Sequence, residues 1–347
     1  MVDRRTILAG GAALALTPLR SATAAEPPPF FHGYRTLDVE AGGVHFAGVI
    51  GGSGPPLLLV HGYPETHIAW RKIAGDLSRH YTVIAPDLPG YGASRPTTMS
   101  PRWTKRRVGE ALVALMGALG HERFAMIGHD RGARAGYRLV LDHPGVVKAF
   151  ASLTVVPTLD AMEGVDYRFA QKNYHWFLLS QPGNLPETLL AAAPDAVIDW
   201  EFDVMQAADD AVIEPAARAA YRAAFRNSTV RHAMCEDYRA ALDEDLAYDR
   251  ADRLAGRKLD CPVLALWPDV QSAGKPLPVD VWKRWADNVV GATTTGDPPA
   301  RRSPRRGVGR AHAVSSAARD LVKTMPAWCS ASASLNSPSA LKPVSST

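Results

Sequence analysis

Cysteine is scarce: Cys235, Cys261 and Cys329 are the only three in 347 residues. Three widely spaced thiols build no disulfide framework, and their spacing matches no structural zinc site. Internal repeats are missing too, which excludes a solenoid or propeller. No apolar run after the N-terminus is long enough to cross a bilayer. An excess of positive charge is missing from the body of the chain. Of the net charge of +4, residues 1–25 carry +2 and residues 291–347 carry +6, which leaves −4 for residues 26–290. A mildly acidic body offers no electrostatic footprint for nucleic acid, and no nucleic-acid partner is expected.

The first residues, MVDRRTILAGGAALALTPLRSATAA, pair Arg4-Arg5 with a short apolar run and a small-residue site at Ala22-Thr23-Ala24. That order is the pattern of a twin-arginine export signal, and it predicts an exported, periplasmic protein that is soluble once residues 1–25 are removed. At the other end, the composition breaks at Gly291. TTTGDPPARRSPRRGVGR is rich in Pro and Arg, and SASASLNSPSALKPVSST is rich in Ser. Neither buries much apolar surface, so residues 291–347 read as a disordered tail.

Between these ends lies ordinary globular composition, with 46% hydrophobic and 21% charged residues. Residues 35–50 alternate like a hairpin with Gly42-Gly43 at its turn. PPLLLVHGYP, YTVIAPDLPGYGAS, RFAMIGHD and VKAFASLTVV are apolar runs that end in Gly/Pro or polar loops. Helical spacing separates them at Ile68–Leu77, Thr104–Leu119 and Ala133–Asp142. Strands alternating with helices predict a parallel sheet covered on both faces, with ligands bound beyond the carboxyl ends of the strands. Residues 157–257 are rich in Ala, Leu, Trp and Tyr at helical spacing and read as a helical cap. CPVLALWP then returns to strand character. The expected fold class is therefore α/β, with a core of residues 26–156 and 258–290 and a cap of residues 157–257.

Two motifs carry chemistry. In GHDRG, Gly128 to Gly132, a tight turn follows a strand and precedes a helix, the setting of a nucleophile elbow. Hydrolases often place serine at its centre; here the centre is Asp130. An aspartate there reads either as a nucleophile or as a helix N-cap. The second motif is HGYPETHIAW. Its loop, His61, Gly62, Tyr63 and Pro64, ends the preceding strand and can aim the Tyr63 N–H at the same point as the Arg131 N–H, making an oxyanion or halide hole.

With both motifs in this order, the chain resembles the α/β-hydrolase superfamily and, within it, the haloacetate (fluoroacetate) dehalogenases. The likeness runs from about Tyr34 to Val290, and GHDRGARAGYRL carries it most specifically, because epoxide hydrolases usually have Trp where this chain has Arg131. The resemblance implies that Asp130 displaces halide from carbon and forms an ester, which a histidine-activated water then hydrolyses. The chemistry suits a carboxylate: a serine would form an ether, which water does not readily cleave. By the same resemblance, Arg131 and Arg134 hold the substrate carboxylate through charge-assisted forks. His175 and Trp176 in NYHWFLLSQPGNLPE, with Tyr238 in CEDYRAAL, would donate to the departing halide. The substrates implied are a small 2-haloacid and water, with no metal and no organic cofactor; monomer and homodimer are both open.

The chain departs from the family twice. The acid that orients the histidine should lie at the end of the strand in ASLTVVPT, where Thr154 stands; Asp269, after the next strand, is a candidate substitute. The histidine itself should lie near residues 295–298, where the chain reads TGDPPARRSPRR, and His312 is the only histidine after His232. A frameshift is a hypothesis for both the missing histidine and the odd tail, although the shift does not itself restore the catalytic histidine. Read one base later, permitted codons for Pro298–Arg306 spell Leu-Leu-His-Glu-Glu-Ala-Pro-Asp-Glu, which is similar to the family segment after its histidine. Two other functions stay open on the sequence: an epoxide hydrolase, and an inactive homologue that binds small carboxylates.

Overall fold

A computed structural model describes residues 29–205, 212–268 and 276–294. The expected export signal over residues 1–25, Asp269, and the stretch beyond Thr294, with His312 and the segment for which a frameshift was suggested, lie outside the described residues.

The strands are β1 (Tyr34–Ala41), β2 (Val44–Gly51), β3 (Pro56–Val60), β4 (Thr82–Pro86), β5 (Arg95–Pro96), β6 (Phe124–His129), β7 (Val147–Leu153), β8 (Val263–Pro268) and β9 (Val289–Thr294). They form one sheet in the order β1-β2-β4-β3-β6-β7-β8-β9, with β5 added to β2. From β4 to β9 every pairing is parallel, whereas β2 pairs antiparallel with β1, β4 and β5. The hairpin β1–β2 turns at Gly42 and Gly43, whose φ values of 55° and 75° suit glycine. The central strands have the unbroken apolar character of strands buried on both faces: Leu57 to Val60 and Val83 to Ala85 are all buried.

Helices α1 (Arg71–Leu77), α2 (Lys105–Ala118), α3 (Arg131–Asp142) and α12 (Pro278–Trp282) belong to the core. Thr104 caps α2 by accepting from Arg107 N. The inserted block is helical throughout its described residues: α4 (Thr158–Glu163), α5 (Tyr167–Lys172), α6 (Tyr174–Leu179), α7 (Leu185–Ala192), α8 (Pro194–Trp200), α9 (Pro215–Phe225), α10 (Ser228–Leu242) and α11 (Glu244–Leu254), with a π-turn at Glu201–Met205. Cap and core are tied by ion pairs, one set buried and one partly exposed. Arg138 of α3 meets Asp249 and Asp252 of α11, and Arg71 clamps Glu214 through Nε at 2.5 Å and Nη2 at 2.7 Å.

At one boundary the structure differs from the sequence reading. The tail was expected to start at Gly291, but β9 continues to Thr294 and pairs with β8 over its whole length. The run Thr293-Thr294 looks like linker by composition, yet β-branched residues fit a pleated ladder once a partner strand is present.

Candidate active site

The site sits where β3 and β6 end side by side. Strand β3 lies between β4 and β6, so successive connections leave in opposite directions and open a crevice there. Asp130 follows β6 and starts α3 with φ 45° and ψ −110°, a conformation few L-residues adopt. Its neighbours make the turn sterically possible. A Cβ on Gly128 would lie 2.5 Å from Ala133 Cα, and one on Gly132 would lie 2.6 Å from His61 O. Asp130 is thus held in a strained elbow, its carbonyl already accepting Arg134 N at 3.1 Å.

The loop after β3 presses against this elbow. A Cβ on Gly62 would fall 2.6 Å from Asp130 Cβ, so only glycine lets the two approach. The next residue donates its backbone N–H to the carboxylate, with Tyr63 N 3.2 Å from Asp130 Oδ2. The Tyr63–Pro64 peptide is cis. His61, grouped with this loop in the sequence, turns the other way. Its Nε2 accepts Leu88 N at 3.0 Å, which leaves Nδ1 to donate to Gly62 O at 2.9 Å. Burial lowers its pKa, so the ring is a neutral structural bridge rather than a base.

Cap residues close the crevice. Tyr63 stacks on His175 at 5.5 Å, and both meet Tyr238 edge-on at 5.4 Å and 5.5 Å. Trp176 meets Tyr238 at 5.3 Å. The Arg131 guanidinium lies 4.4 Å from the Tyr238 ring centre, and that of Arg134 lies 4.7 Å from the Trp176 ring centre. The fold therefore brings Asp130, Tyr63, Arg131, Arg134, His175, Trp176 and Tyr238 into one buried cluster from four separate stretches of sequence.

Several donors in this cluster are buried without a protein acceptor: Arg131 Nη1, Arg134 Nε, Tyr63 Oη and Tyr238 Oη. Burial pushes both phenols well above their ordinary pKa; Glu201 adds to the effect on Tyr63, and Asp130 to that on Tyr238. They stay protonated and remain donors. Four unmatched donors around one carboxylate are costly unless an anion or a polar ligand completes them.

Sequence reasoning missed the residues behind Arg131. Asp237, Lys105, Asp245 and Tyr91 are all buried there. Asp237 precedes Tyr238 in the quoted cap motif, but nothing in the sequence pairs it with Lys105. Thr154 directly follows β7, at φ 70°, and its buried Oγ1 has no hydrogen-bond partner. A β-branched residue at positive φ is a genuine outlier, and such strain concentrates at functional positions.

An eight-stranded, mostly parallel path with a nucleophile elbow and a helical lid defines an α/β hydrolase. The model of the alpha/beta hydrolase fold matches residues 55–269, and the chain belongs to that family. It is 37% identical to the fluoroacetate dehalogenase of a Burkholderia species over 237 residues, 67% of this chain and 77% of that one. A soluble epoxide hydrolase from Corynebacterium sp. strain C12 is 36% identical over 112 residues, 32% of this chain and 38% of the relative. Among solved structures, a candidate epoxide hydrolase from Pseudomonas aeruginosa, a threonine-to-aspartate mutant with bound MFA, superimposes with a TM-score of 0.77 at 44% identity, covering 86% of this chain and 96% of that one.

Proposed function

We propose that this α/β hydrolase removes halide from small 2-haloacids by way of an ester on Asp130. The observation that carries the reading is the pair of buried guanidinium N–H groups, Arg131 Nη1 and Arg134 Nε, left without protein acceptors beside an aspartate elbow. A substrate carboxylate completes both. The fluoroacetate dehalogenase likeness points the same way.

In the first step an Asp130 carboxylate oxygen attacks the carbon bearing the halogen. The new C–O bond forms as the C–X bond breaks, and the halide leaves with the bonding pair toward His175, Trp176 and Tyr238. In the second step water attacks the carbonyl carbon of the ester. The oxyanion forms beside the Tyr63 N–H, collapse releases the 2-hydroxyacid, and Asp130 is regenerated with one proton lost to solvent. General-base help to the water is worth roughly 10²–10⁴-fold. Without the family's histidine, the second step is the slow one, and the ester accumulates.

A second reading has its own support. Tyr63 and Tyr238 are two protonated, unmatched phenols with ring centres 5.4 Å apart, and paired phenols can protonate an epoxide oxygen. Epoxide hydrolases are among the relatives. Incubation of the protein with chloroacetate and, separately, with styrene oxide distinguishes the two. The proposal expects reaction with chloroacetate alone; diol formation from the epoxide with no reaction of chloroacetate would reverse it.

A further inference from the structure

Behind the site, a cap carboxylate takes hold of the substrate-binding arginine. Asp237 lies on α10, next to Tyr238. Its Oδ2 accepts Arg131 Nε at 2.8 Å and Tyr91 Oη at 2.9 Å. Its Oδ1 accepts Arg131 Nη2 at 2.7 Å and also Lys105 Nζ, while its backbone carbonyl takes Arg131 Nη2 again at 2.9 Å. One residue of the cap thus binds Arg131 of α3, Lys105 of α2 and Tyr91 of the loop after β4. All four are buried.

The pattern of use within the guanidinium is informative. Nε and Nη2 are both spent on Asp237, and Nη1 alone has no acceptor. A planar fork held by two parallel bonds cannot rotate about its own axis. The Tyr238 ring fixes the plane from one face at 4.4 Å. Burial lowers the pKa of such a group, but the charge of Asp237 more than offsets it for Arg131, and Arg131 with Lys105 holds Asp237 ionised against its own burial. An ion pair placed solely to tie cap to core has no reason to leave one guanidinium nitrogen bare.

We infer that Asp237 is a positioning residue for the reaction: it sets the Arg131 guanidinium so that Nη1 is presented to the substrate carboxylate, and Lys105 supplies the second positive charge that lets Arg131 keep affinity for an anion while paired. While Asp245 beside Lys105 is protonated, the cluster holds two cations against Asp237, so it meets an incoming carboxylate with positive charge to spare. The inference rests on the proposed role of Arg131 in binding the carboxylate. It adds that the cap, through Asp237 of α10, takes part in carboxylate recognition.

The test uses the full chain and acetate, which carries the carboxylate without a leaving group. Acetate binding is measured by calorimetry for the parent, Arg131→Gln, Asp237→Asn and Tyr91→Phe, with thermal unfolding as the control for folding. Losing a charge-assisted hydrogen bond weakens acetate on the order of tenfold, and Asp237→Asn is expected to do at least that. Tyr91→Phe removes one of the hydrogen bonds that hold the Asp237 carboxylate and should weaken acetate about two- to fivefold; it serves if Asp237→Asn does not fold. The alkylation rate of Asp130 by chloroacetate is compared with that by neutral chloroacetamide. A positioning role lowers the first and leaves the second within about twofold; a purely structural role lowers both alike and overturns the inference. Acetate affinity unchanged in Asp237→Asn, or in Tyr91→Phe where that variant stands in, also overturns it. If Arg131→Gln itself keeps acetate affinity, the underlying reading of Arg131 fails instead.

Discussion

Asp245 is the carboxyl that the fold treats worst, and replacing it with asparagine should reshape the stability of the chain with pH. Its Oδ1 accepts Lys105 N at 2.8 Å, while Oδ2 is buried with no partner. Burial is the largest cause of its displacement, offset in part by Lys105, and the pKa is pushed from 3.8 up to about 7. Between those two values the folded chain holds a proton that the unfolded chain has released. Stability therefore falls as pH rises through this window and levels off above about 7. At about 1.36 kcal/mol for each tenfold change in proton activity, the full penalty is roughly 4 kcal/mol. Asp245→Asn keeps the acceptor for Lys105 N and removes the charge. Urea unfolding of parent and variant across pH 4 to 8 is the assay. Near pH 4 the variant should match the parent or fall about 1 kcal/mol below it, since a buried amide also lacks a partner. Near pH 8 it should be the more stable by a few kcal/mol. Curves that stay parallel across the range would refute the argument, because the ionised carboxylate would then cost nothing.

Other outcomes follow from the same geometry. Ionisation of Asp245 cancels one positive charge behind Arg131, so acetate affinity should decline as pH rises through about 7 and stay flat in Asp245→Asn; calorimetry across that window reads both. Gly62→Ala drives a methyl to 2.6 Å from Asp130 Cβ, and a displacement of this size should slow alkylation of Asp130 by about 10²-fold, as read by intact mass against time. Arg71→Ala leaves Glu214 without its two-point clamp; a partly exposed pair of this kind contributes on the order of 1 kcal/mol, visible as an earlier urea midpoint with alkylation unaffected.

Much of this site was legible in the sequence because sterics leave few choices. Gly128, Asp130 and Gly132 at the end of an apolar run announce the elbow, since any Cβ at either glycine collides with neighbouring backbone. His175, Trp176 and Tyr238 pack together beside it, and the inserted block is helical where the composition changes. The hydrogen-bond role of His61 was not legible, because a histidine beside Gly-aromatic-Pro looks the same whether it faces the substrate or the core. The buried charges were hidden for a different reason. Lys105, Arg106 and Arg107 open α2, where positive charge opposes the helix dipole. Each is in fact answered from elsewhere: Lys105 by Asp237, Arg106 by Asp142, and Arg107 by the Pro101 carbonyl and the Trp103 ring. The pairings of Lys105 and Arg106 span 132 and 36 positions in the chain, and local pattern carries no trace of them.

The central claim is that Asp130 is a nucleophile, and intact mass of the protein after exposure to excess chloroacetate tests it most directly, with halide counted in the same sample. The account predicts one carboxymethyl group per chain, localised to Asp130 by peptide mapping and absent from Asp130→Asn, with halide released in a fast first equivalent and slowly or not at all beyond it. Halide released in the parent with no adduct at any time, and released equally by Asp130→Asn, would contradict the account.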